Sequence, residues 1–88
     1  MTSVDVPGAS DNFANDLNNS GVVVVSGVFG DSLQSYAWKK GVFTALENVP
    51  GAPITYAMGI NDHGDYSGKW CDGNFTVCHA FVAFRRFP

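Results

Sequence analysis

Short apolar runs, broken by clusters of Asn, Asp, Gly and Pro, recur along this chain. Val22 to Val25 are four consecutive β-branched residues, stiff at χ1 and suited to a strand covered on both faces. Ile54 to Ile60 and Asp65 to Trp70 read as two further strands, joined by Asn61-Asp62-His63-Gly64. Asn and Asp start turns because their side chains bond nearby backbone, and Gly64 accepts a positive φ without a Cβ clash. That combination predicts a hairpin closed by a type I turn and a glycine bulge. Asn18-Asn19-Ser20-Gly21 leads into the valine run in the same way. A third strand is expected over about Thr76 to Phe84, with Ser35 to Lys39 as its counterpart, and a fourth over Val42 to Glu47.

These elements repeat. Val6-Pro7-Gly8-Ala9 and Val49-Pro50-Gly51-Ala52 lie 43 residues apart, as do Phe13-Ala14 and Tyr56-Ala57, Leu17-Asn18 and Ile60-Asn61, and Gly21 and Gly64. Gly21 to Gly27 spans two residues more than Gly64 to Gly68, so a length difference is expected there. The register then recovers where Tyr36-Ala37-Trp38 meets His79-Ala80-Phe81. A period in the forties suits a propeller blade or a comparable β unit. Asp31 to Gly41 also reads as a short helix, capped by Asp31, with Lys39 and Lys40 in its last turn. Its partner Val77 to Val82 carries no such caps, and a shared structure favours a strand. The expectation is an all-β chain of two tandem four-stranded antiparallel repeats, propeller-blade-like, within a single domain over 1–88. Repeat 1 covers about 6–48 and repeat 2 about 49–88, with residues 1–5 supplying a completing strand. Two units cannot close a ring, and open β edges invite pairing. Completion by a homo-oligomer follows, with a trimer favoured.

Composition narrows the picture. The chain has 88 residues, 45% hydrophobic and only 15% charged, against roughly 25% charged in an average domain. This excludes a disordered, charge-rich segment. Net charge is −3, and Lys39, Lys40, Lys69, Arg85 and Arg86 form no basic stripe, which argues against nucleic acid. Val22 to Val25, a purely apolar run, is too short to span a bilayer. Met1-Thr2-Ser3-Val4-Asp5 shows no signal peptide.

Asp5-Val6-Pro7-Gly8-Ala9, Gly59-Ile60-Asn61-Asp62-His63-Gly64 and His79-Ala80-Phe81 resemble the HAF-type repeat of bacterial secreted proteins. The resemblance covers residues 44–81 well and 5–43 more loosely. The first unit departs from the pattern, with Asn15-Asp16-Leu17-Asn18 for Gly-Ile-Asn and Tyr36-Ala37-Trp38 for His-Ala-Phe. The resemblance implies a secreted, propeller-like β repeat and no characterised activity.

Candidate chemistry is sparse. Cys71 and Cys78 fall opposite each other across a hairpin whose turn centres on Asn74-Phe75. A disulfide, two buried thiols, or a metal pair completed by His79 and His63 all fit, and the disulfide is the leading expectation. Asn61-Asp62-His63-Gly64-Asp65 has oxygens for calcium but lacks the ligand ladder of a calcium loop, so neither metal nor cofactor is expected. His63 and His79 as bases, and Ser67 or Cys78 as nucleophiles, have no spacing that compels catalysis, so the chain is read as no enzyme. Asn74-Phe75-Thr76 and Asn18-Asn19-Ser20 fit the glycosylation acceptor pattern. Aromatic rings beside fixed amides and carboxylates suit sugars. Trp38, Trp70, Tyr56 and Tyr66 with Asn61 and Asp62 are therefore the candidate glycan-binding residues. The alternative is a structural self-assembly module, or a fragment of a larger secreted repeat protein, with no small-molecule ligand.

Overall fold

The computed structural model describes residues 3–46, 53–72, 74 and 76–84, and every regular element among them is a strand. The first four strands are β1 (Asp11–Leu17), β2 (Val23–Phe29), β3 (Ser32–Lys39) and β4 (Val42–Ala45). They are followed by β5 (Ile54–Ile60), β6 (Tyr66–Cys71) and β7 (Cys78–Ala83). Together they make one curled, half-barrel sheet in the order β1-β2-β3-β5-β6-β7, with β4 also paired to β3. The helix considered for residues 31–41 is absent: β3 pairs with β2 along its full length. Lys40 and Gly41, both at positive φ, turn the chain tightly into β4 where a helix would have ended.

The two edges of β3 separate the pairing into two groups of strands, a first unit of β1 to β4 and a second of β5 to β7. In place of two four-stranded repeats, the second group has three strands among the described residues. One edge carries β2 from Phe29 to Val23. The other holds β4 at Tyr36 to Lys39 and meets β5 at a single parallel pair, Leu33 with Ile54. All other pairing stays within β1 to β4 or within β5 to β7. The fourth strand expected over Val42 to Glu47 forms as Val42–Ala45, and Glu47 lies outside the described residues. The completing strand assigned to residues 1–5 lies partly outside them as well. Ser3, Val4 and Asp5 belong to no strand, while Val6 is buried and donates its N–H to Asn12 Oδ1 at 2.9 Å.

The 43-residue offset holds strictly for β1 and β2 against β5 and β6, and not for the strands that follow. Both ends of β1 and β5 obey it, and each strand carries one bulge, at Asn15 and at Met58. Ala14 opposite Val25 corresponds to Ala57 opposite Gly68, and Leu17 opposite Val23 to Ile60 opposite Tyr66. The expected length difference between Gly21–Gly27 and Gly64–Gly68 is therefore wrong. Gly68 occupies the position of Val25, and Trp70 that of Gly27. Matching glycine to glycine misleads because the bulge, not the glycine, fixes the register. The extra two residues lie in the next turn. Gly30-Asp31 alone separates the Phe29–Ser32 pair, whereas residues 73–76 separate Asp72 from Val77, whose carbonyl accepts the Asp72 N–H. The last strands consequently match as Tyr36 with Phe81, not with His79.

Cross-strand partners share a face. Val22, Val24 and Ala37 thus form one face of the first unit, and Val23, Tyr36 and Trp38 the other. The first face packs on Ala57 and Tyr66 of the second unit, with Ile60, Phe81 and Ala83 against the same cluster. Val22, Val24 and Ala37 have no exposed surface, and burial of each valine contributes roughly 1.5–3 kcal/mol. The core is therefore the junction between the two units.

Candidate functional site: the junction between the units

β5 pairs with β6 along one edge, and its other edge faces the first unit. Buried backbone groups on that edge must find partners. Side chains of the first unit supply them. Ser35 Oγ donates to Thr55 O at 3.1 Å and accepts from Ala57 N at 2.9 Å. Asn15 Nδ2 donates to Ala57 O at 2.8 Å, Asp16 Oδ2 accepts from Ile60 N at 2.9 Å, and Asn18 Nδ2 donates to Asn61 O at 2.9 Å. Leu33 extends the series with its own N–H, which donates to Pro53 O. Beyond the single Leu33–Ile54 pair, a strand edge that would otherwise template pairing is thereby closed by side chains.

The proton directions in this network follow from its stoichiometry. The Ser35 hydroxyl has one proton, given to Thr55 O, so Ser26 donates across the 3.1 Å Ser26–Ser35 contact. Ser26 Oγ accepts in turn from Asn15 Nδ2 at 3.0 Å. Tyr56 OH donates to Asn15 Oδ1 at 3.2 Å, so Asn15 uses both ends of its amide. Ser26 and Ser35 are fully buried, which makes every member of the chain costly to remove.

Two turns at one end of the junction reproduce each other. Asn18 Oδ1 accepts from the N–H groups of Ser20 and Val22, and Asn61 Oδ1 from those of His63 and Asp65. Gly21 and Gly64 sit at φ +84 and +86, the left-handed region that favours glycine. The turns also meet. Asn19 gives its backbone N–H and its Nδ2 to the two oxygens of Asp62, each at 2.9 Å. Asn18 and Asn19 thus touch their own counterparts 43 positions later, and Asn15 and Asp16 a residue one step from theirs, whereas Ser35 reaches Thr55 and Ala57, 20 and 22 positions on.

The residues put forward from the sequence are placed as follows. Tyr66 is buried at 3% exposure, its ring edge-on to Phe81 with centroids 6.1 Å apart. Tyr56 is half-buried and tied to Asn15. Asn61 is engaged with its own turn and Asp62 with Asn19. Trp38 lies between Val23 and Phe43 in the first unit. Trp70 stacks on His79 in the second at 4.3 Å, and no ring contact joins the two indoles among the described residues. Tyr56, Tyr66, Asn61 and Asp62 each contact the first unit but form no single site, since Tyr56 lies on the opposite face of β5–β6 from Tyr66. Neither tryptophan belongs to the core cluster. Cys71 and Cys78 are directly opposed and joined by a disulfide, so neither is available as a thiolate. Among the described residues no three His, Cys, Asp or Glu side chains converge as a metal site.

Sequence reasoning missed Asn15, Asp16, Asn19, Ser26 and Ser35. The available signal for the two serines was their polarity inside strands whose neighbours are apolar, Ser26 after Val25 and Ser35 before Tyr36. The chain matches no family model, no curated protein and no solved structure.

Proposed function

We propose that this chain is a non-catalytic, propeller-type repeat module that works by self-assembly, two units per chain contributing to a larger β array. The observation that carries the reading is the polar closure of the β5 edge by Asn15, Asp16, Asn18 and Ser35. A contact in which each unit grips its own counterpart one period later is heterologous, and repetition of such a contact gives a ring or an open stack. The resemblance of Gly59 to Gly64 and His79 to Phe81 to the HAF-type repeat supports a secreted scaffold of many such units. The Cys71–Cys78 disulfide suits an oxidising compartment. Native mass spectrometry and light scattering test the proposal. The expected particle is a discrete multiple of 9.4 kDa, three copies for a six-unit ring; a 9.4 kDa particle throughout the micromolar range rejects it.

A second reading, glycan binding, draws on one feature. A cleft of about 310 Å³ between the units is walled by Phe13 and Tyr56, which lie 43 residues apart, floored by Leu33 and Ile54, and rimmed by Asp31 and Ser32. Aromatic faces beside a carboxylate fit the apolar face and hydroxyls of a sugar. A glycan array with hits lost in Tyr56→Ala supports this reading, and an array without hits removes it.

A further inference from the structure

The intramolecular junction has an unfilled counterpart on the far side of the second unit. Val22, Val24 and Ala37 form the seat on which Tyr66, Ile60 and Ala83 pack. One period later, the same places in the register are held by Asp65, Ser67 and Val82. These three residues, with Gly59 and Phe84, line an open groove of about 280 Å³. Val82 is 60% exposed and Phe84 82%. The residues corresponding to those seated in the first junction are also known. Val23 stands in the place of Tyr66, Leu17 in that of Ile60, and Trp38 in that of Ala83, all on the face of the first unit opposite Val22, Val24 and Ala37. None of the three is among the described residues of the core cluster. Leu17 is 67% exposed.

From this we infer that the groove of the second unit receives the Leu17–Val23–Trp38 face of a second copy, head to tail. The inference rests on the self-assembly reading and names its interface. It continues an interface the chain already makes with itself, using the equivalent strands in the equivalent order. It also predicts a change of chemistry. Met58 and Gly59 stand where Asn15 and Asp16 grip β5, Ala80 where Ser35 does, and Lys69 where Ser26 supports Asn15 and Ser35. The contact between copies therefore lacks counterparts of the Asn15, Asp16 and Ser35 hydrogen bonds, and sets Val82 and Phe84, beside Asp65 and Ser67, against Leu17, Val23 and Trp38.

The experiment is complementation between two exposed-site variants, Val82→Glu in the groove and Leu17→Glu on the opposite face, each followed by native mass spectrometry. Each variant alone is expected at the single-chain mass of 9.4 kDa, with a thermal transition close to that of the parent chain. An equimolar mixture is expected to give two-copy particles and nothing larger, because one intact groove and one intact face remain between them. If the parent chain assembles but Val82→Glu keeps the parent mass, or if the mixture stays at one copy, the interface lies elsewhere and the inference fails while the self-assembly reading stands. If the parent chain itself is a single copy, both fail.

Discussion

The hairpins β1–β2 and β5–β6 share bulge position and turn hydrogen bonds, yet the side chains at their bulges act differently. In the first, Asn15 and Asp16 reach across to the next unit. In the second, Met58 and Gly59 occupy the same positions and offer no polar group. One backbone geometry thus carries two surfaces, a polar one that binds a neighbour's strand edge and an apolar one that presents 51% of Met58 to solvent. Backbone register is fixed by turns and bulges, which are local, while the chemistry of an interface is fixed by the few side chains that the register aims outward.

The largest expected effect separates the buried network from everything else. Ser35→Ala leaves Thr55 O, Ala57 N and the Ser26 hydroxyl without their partner, a loss of about 3 kcal/mol or more in denaturant unfolding. The corresponding residue of the second unit, Ala80, already lacks a hydroxyl, so Ala80→Ser is expected to change stability by less than about 0.5 kcal/mol. A similar cost for both variants breaks the comparison.

Next comes the turn in which the units differ in length. Removing the Cys71–Cys78 bond, as the double alanine variant, is expected to cost about 2.5 kcal/mol, since it releases a closed loop of eight residues. The two-residue turn of the first unit needs no such staple. Asn15→Met, which makes the first bulge like the second, removes three hydrogen bonds and is expected to cost about 2 kcal/mol. A thermal melt of Asn15→Met unchanged from the parent would show that the polar grip contributes nothing.

The smallest contrast is between the two turn asparagines. Asn18→Ala loses the turn bonds and the bond to Asn61 O from a residue only 6% exposed, whereas Asn61→Ala loses turn bonds from an exposed one. The first should destabilise by about 1 kcal/mol more than the second, measured as a difference in denaturant midpoints at equal slope.

Much of this was visible in the residues. The valine run, the Asn-x-x-Gly turns and the paired cysteines each act within a few positions, so Val23–Phe29, the turns at Asn18 and Asn61, and the Cys71–Cys78 pair were legible. The bulges were not, because Asn15 and Met58 have nothing in common as side chains. Nor was the role of Tyr66, which as an aromatic residue beside polar turns looks like a ligand platform until its neighbours Val22 and Val24 are known.

By itself the sequence determined the strand-forming runs and the turns, since β-branching, Asx hydrogen bonding and glycine's access to positive φ all operate at short range. Only the tertiary structure decided which face of each unit is covered. That choice depends on how the sheet curls to bring β5 against Ser35, Asn15 and Asn18, where unpaired backbone amides and carbonyls have to be satisfied by side chains 20 to 43 residues away.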